Sequence, residues 1–142
     1  MRLTRREFIA EAGRDTIGGA LILSGCAAAA KKKMQPVVLD LSKPEYQALA
    51  AAGGTMKIPN PADKKRPIIV VRVSETEFAA FSSRCAHMGC EVSMPQNGVI
   101  SCPCHGAKYD EQGNVTHGPA KKNLHRFSAT LSEAILTIAD PS

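Results

Sequence analysis

Short apolar runs separated by turn-forming residues set the rhythm of this chain from residue 37 onward. Val37 to Leu41 reads as a first strand. Ser42-Lys43-Pro44-Glu45 has the form of a capping box with proline in the first turn, which predicts a short helix through about Ala52, stopped by Gly53-Gly54. Lys57 to Pro59 predicts a short strand before a turn rich in Pro and Lys. Pro67 to Val73 is a strong strand, because Ile68 to Val71 are all β-branched, and Phe78 to Ser82 is another. Asn97-Gly98 predicts a tight turn into a strand at Val99 to Ser101. Residues 124–131 and 134–139 read as a closing hairpin, with Phe127, Ala129 and Leu131 alternating and Ile135-Leu136-Thr137-Ile138 returning.

Many short strands with frequent turns favour an all-β fold, an antiparallel sandwich or partly open barrel. Residues 84–120 break the rhythm and read as an inserted, loop-rich subdomain. The length of 142 residues fits one small domain plus a targeting segment and excludes a large barrel enzyme. Aromatic residues are 4% and Trp is absent, so aliphatic packing and cross-links must carry the core. The net charge of +5 falls to +4 from Cys26 onward and lacks aromatic-basic interleaving, which argues against a nucleic-acid binder.

The N-terminus reads as an address. Thr4-Arg5-Arg6-Glu7-Phe8-Ile9 precedes an uncharged stretch, Thr16 to Ala30, of fifteen residues containing Gly18, Gly19 and Gly25. A membrane span needs about twenty apolar residues, so this stretch fits an export signal better. The arginine pair resembles a twin-arginine signal, and Leu23-Ser24-Gly25-Cys26 resembles a lipobox, in which Cys26 carries the lipid anchor after cleavage. The expected organisation is an export signal at 1–25, a tether at 26–35 and a folded domain at 36–142. An uncleaved signal anchor is the alternative to the lipid.

Five cysteines are many for this length. Cys26 belongs to the address; the other four lie in two boxes, Cys85-Ala86-His87-Met88-Gly89-Cys90 and Cys102-Pro103-Cys104-His105-Gly106. Each box offers a thiol and an imidazole at close spacing, with one further cysteine left over per box. Three readings compete: a structural zinc drawing on both boxes, a redox or nucleophilic cysteine, and a [2Fe–2S] cluster with two Cys on one iron and two His on the other. Only the last uses every residue, with a disulfide left over.

The two boxes together resemble the Rieske family, in its quinol-oxidising, disulfide-containing branch, over roughly residues 36–139. The resemblance implies that Cys85 and Cys102 ligate one iron, that His87 and His105 ligate the other, and that Cys90 pairs with Cys104. It implies an all-β base carrying a small cluster-binding subdomain, about 84–120, and one [2Fe–2S] cluster. Gly118-Pro119-Ala120 resembles the family's proline loop over the cluster. By resemblance, Tyr109 bonds the sulfur of a ligating Cys. The fourteen-residue spacer between His87 and Cys102 is short for the branch and implies a trimmed loop. Ala107 stands where high-potential members carry Ser, whose hydroxyl donates to a bridging sulfide, so a lowered potential is expected.

Two thiolates and two neutral imidazoles leave the oxidised cluster formally near neutral, whereas four thiolates leave it near −2. An electron enters the first more easily, hence about −150 to +300 mV against about −400 mV for plant-type ferredoxins. The resemblance implies an exported, membrane-associated electron carrier, passing single electrons from quinol or another donor to a cytochrome-type acceptor. It would act as the iron–sulfur subunit of a cytochrome bc-type complex; the alternative is the small subunit of a periplasmic oxidase such as arsenite oxidase. A persistent disulfide and an export signal agree on a compartment outside the cytoplasm. Among the remaining residues, His117 reads as a loop residue and His125 as a partly buried strand residue. Met88 is expected at the cluster tip, and Lys64-Lys65-Arg66 as a solvated turn.

Overall fold

The computed structural model describes residues 33–141. The strands are β1 (Val37–Asp40), β2 (Thr55–Ile58), β3 (Ile68–Arg72), β4 (Phe78–Ser82), β5 (Val99–Ser101), β6 (Lys108–Asp110), β7 (Val115–His117), β8 (Arg126–Ser132) and β9 (Ile135–Ala139). Six of them form an antiparallel sheet in the order β1-β9-β8-β4-β3-β2, curled into a half-barrel. The other three form a small antiparallel sheet, β5-β6-β7. The all-β architecture read from the sequence is the observed one.

The unbroken apolar run of β3 has a direct cause. Side chains alternate across a strand. Ile69 and Val71, with Ala79 and Phe81 of β4, face a core that also contains Cys85, Cys102 and Tyr109. Ile68 and Val70, with Phe78 and Ala80, face a second core with Leu39, Leu49, Phe127 and Ile138. These two strands are therefore buried on both faces. These two adjacent strands are at once the floor of the base and the wall of the cysteine-rich region.

Three expectations need correction. The helix is a 3₁₀ segment, Pro44–Leu49, shorter than the predicted run to Ala52. Its capping box does not form: the Ser42 hydroxyl and amide both bond Asp40 Oδ1, at 2.5 and 3.1 Å, and Lys43 occupies the N-cap without a side-chain bond. β6 and β7 lie where the sequence suggested only loop, so His117 is a strand residue, exposed and paired with Lys108. The Asn97-Gly98 turn forms as predicted, with both residues at positive φ and reciprocal bonds between Gln96 and Val99.

Candidate metal centre

Two tight turns, seventeen residues apart, build the site and repeat one another. In the first, the Gly89 amide donates to the Cys85 carbonyl at 3.0 Å and the Cys85 amide donates to the Cys90 carbonyl at 2.7 Å. In the second, Gly106 donates to Cys102 at 3.0 Å and Cys102 donates to Ala107 at 2.8 Å. Gly89 and Gly106 close the turns at φ of 78° and 79°, a conformation that strains residues with a Cβ. Ala107 thus occupies the place that Cys90 fills in the first turn.

Each turn starts inside and crests outside. Cys85 and Cys102 are 3% and 2% exposed and belong to the same buried core cluster. His87 and His105 are exposed, with ring centroids 4.8 Å apart and planes 84° apart. Of the four predicted ligands, the two thiols are thus buried and the two imidazoles exposed side by side. Cys90 and Cys104 are bonded, with sulfurs 2.08 Å apart, and tie the turns together. The Cys102 sulfur lies within 4.8 Å of both of them, but half-cystines offer no thiolate, so the usable donors are the two thiols and two imidazoles. Soft sulfur on one side and imidazole on the other suit a two-ended group such as an iron pair with unlike ligands.

Tyr109 supports the buried end. It is fully buried, its hydroxyl lies 3.2 Å from Cys85 Sγ, and it accepts from the Ala86 amide at 3.2 Å. Accepting there leaves its own proton for sulfur. Burial pushes the Cys85 thiol up, but the bonds from Tyr109, the His87 and Met88 backbone and Cys102 outweigh it and hold the thiol below its ordinary value. Cys102 is raised, by burial first and then by Cys85 beside it. Burial and the bond to Cys85 raise the Tyr109 phenol, which stays protonated and so remains a donor.

Around this pair, Ala107 is fully buried, and Gly118 and Pro119 are exposed and joined by a cis peptide bond. Ala120 packs in the core that holds both thiols. Met88 is 70% exposed at the crest of the first turn. His125 is exposed rather than partly buried: it precedes β8, lies 2.9 Å from Asp140 Oδ1 and stacks edge-on against Phe127. Arg66 departs from the solvated turn expected for its run: its Nε donates to the Gly89 carbonyl at 2.9 Å and clasps the first turn. Its neighbours Lys64 and Lys65 are exposed. Cys26 and the arginine pair lie outside the described residues. Among the described residues no helix is long and apolar enough to cross a membrane.

A family model described as the Rieske [2Fe–2S] domain matches residues 47–128. The cytochrome b6-f complex iron–sulfur subunit 2 of Nostoc sp. PCC 7120 is 36% identical over 100 residues, which is 68% of this chain and 55% of that one. The ubiquinol–cytochrome c reductase iron–sulfur subunit of Rickettsia prowazekii is 34% identical, over 52% of this chain and 43% of that one. The chain thus spans about half the length of the curated relatives it matches. The crystal structure of the plasma-membrane Rieske protein of Synechocystis PCC 6803 superposes with a TM-score of 0.52 at 32% identity, covering 60% of this chain and 85% of that one. The ferredoxin of carbazole 1,9a-dioxygenase from Nocardioides aromaticivorans shares the fold, with a TM-score of 0.53 at 19% identity over 75% of this chain and 99% of that one.

Proposed function

The chain belongs to the Rieske [2Fe–2S] family, and on that premise we propose that it carries single electrons at the paired turns, with Cys85 and Cys102 holding one iron and His87 and His105 the other. One observation carries the assignment: the turns repeat each other, with both thiols buried and both imidazoles exposed. Within this reading the protein is an exported, membrane-associated subunit of a cytochrome bc-type complex, taking electrons from quinol and passing them to a cytochrome. Residues 1–25 serve as the signal and Cys26 as the anchor.

The cluster, when bound, supplies one-electron chemistry at about −150 to +300 mV. The chain's own residues set the terms. The Cys90–Cys104 bond fixes the spacing of the turns. The exposed imidazoles offer their outer nitrogens to a hydrogen-bonding donor, beside the apolar crest at Met88. Tyr109 directs its proton at the sulfur of Cys85, which favours the more negative, reduced state. Ala107 brings no second hydroxyl, so the potential sits below that of a relative with Ser there.

Electron paramagnetic resonance of the reduced, matured protein tests the ligand set. Mixed ligation gives a lower average g than four thiolates; an all-thiolate signal, or zinc in place of iron, sinks the proposal. Co-purification from native membranes with a cytochrome b supports the complex, whereas a molybdenum-containing partner sinks that part of it. Tyr109→Phe is expected to lower the potential on the order of 60 mV, the one-electron equivalent of about 1.4 kcal/mol of differential hydrogen bonding. It also leaves the Ala86 amide without its acceptor, at about 1–3 kcal/mol of stability. Redox titration and thermal unfolding read the two effects, and an unchanged potential would remove Tyr109 from the electronic role.

A further inference from the structure

The charges of the folded body are sorted by position. The segment that clasps the first turn carries Lys64, Lys65 and Arg66; the turn itself is entered through Arg84; and Lys121 and Lys122 follow the proline loop. Arg84 and Lys122 line a cleft of about 650 Å³ together with His87 and Met88. Inside the cleft the charges balance, Arg84 and Lys122 against Asp63, 3.9 Å from Arg84, and Asp140, which lies against His125; the excess comes from Lys64, Lys65, Arg66 and Lys121, which adjoin lining residues along the chain. Over the rest of residues 33–141 the balance reverses, with eight acidic residues against six basic ones. The excess positive charge therefore lies on one flank of the exposed imidazoles.

We infer that this basic flank is the docking surface for an acidic redox partner protein, whose negative surface seats against the cleft beside His87. The inference rests on the electron-carrier reading above and adds the partner's charge and the side from which it arrives. Charge complementarity argues for it. Lys64, Lys65, Lys121 and Lys122 are exposed, and among the described residues none of them is engaged by an ion pair. Free cations around a concave opening raise the encounter rate of an anionic surface by about 10–1,000-fold at low salt. A protein is favoured over a lipid surface because the cleft is concave and contains the imidazole edge through which electrons leave, and a flat headgroup layer would not enter it.

The test uses the full-length, cluster-loaded protein and its Lys64→Glu/Lys65→Glu/Lys122→Glu variant. Stopped-flow oxidation is followed with two acceptors, an acidic c-type cytochrome and a basic one of matched potential. Wild-type protein should react faster with the acidic cytochrome, losing about tenfold between about 10 and 200 mM ionic strength. The variant should lose about tenfold with the acidic acceptor at low salt and gain with the basic one. A misfolded or shifted cluster would slow both. Equal, salt-independent rates overturn the inference while leaving the cluster assignment intact; failure to load a cluster sinks the earlier reading instead. Binding to phosphatidylcholine vesicles that requires about one-quarter phosphatidylserine and is lost in the variant, with no preference between the cytochromes, assigns the flank to lipid and also overturns the inference.

Discussion

Replacing Cys102 with serine is expected to leave the protein without iron, from two atoms per chain to below about one-tenth of that occupancy. A metal ligand must be deprotonated, and a serine hydroxyl is far harder to ionise than a thiol. At 2% exposure no water takes the vacated place. The first turn offers no substitute, because Cys90 is committed to Cys104. His105→Ala should have the same consequence from the imidazole side. His125→Ala should keep its iron, since that ring is engaged with Asp140 and Phe127. Iron analysis and the visible spectrum read all three. Retention of two irons in Cys102→Ser, or their loss in His125→Ala, would remove the proposed ligand set. Thermal stability should fall with the iron, because a group that binds only the folded chain stabilises it by mass action.

How much of this was legible depends on how locally each feature is encoded. The two boxes are contiguous, so their chemistry is readable at once. β3 and β4 announce themselves by β-branched and apolar runs, since both faces of those strands are buried. β6 and β7 give no such signal: Lys108-Tyr109-Asp110 is three residues long, and its strand state comes from pairing with Ile100 and Val115 around a buried Tyr109. Asp110 helps from the side, accepting from Gln112 and Asn114 to close the hairpin. Gly113 sits in that turn at φ of 81°, where an added Cβ would lie 3.2 Å from the Phe81 ring. The capping box failed because Asp40, outside the motif, captured Ser42 first. The role of Arg66 was invisible, because its acceptor is a backbone carbonyl twenty-three positions away. The repeat of the turns was readable in principle, from Cys85 and Gly89 recurring as Cys102 and Gly106. It hid because the histidines fall two and three residues after their cysteines.

Removing the disulfide should cost less than removing a ligand, but the two ways of breaking it should differ. The bond closes a fourteen-residue separation, worth about 3 kcal/mol by the chain-entropy relation. For a body of this size that corresponds to roughly 12 °C of melting temperature in the Cys90→Ala/Cys104→Ala double variant. The single variants leave a thiol beside the site. Cys104→Ala frees Cys90, whose sulfur lies within 4.8 Å of Cys102, so oxidation can join them and consume a ligand. Cys90→Ala frees Cys104 instead, whose sulfur is also within 4.8 Å of Cys102, but a bond across the single residue Pro103 closes a small, strained ring that is more easily reduced and so competes less. Cys104→Ala should therefore carry less iron than either Cys90→Ala or the double variant when matured in air, and should recover when matured under a reductant. Equal iron in all three, or no recovery under the reductant, would mean that the disulfide acts only through stability and does not also shield the Cys102 thiol from a competing partner.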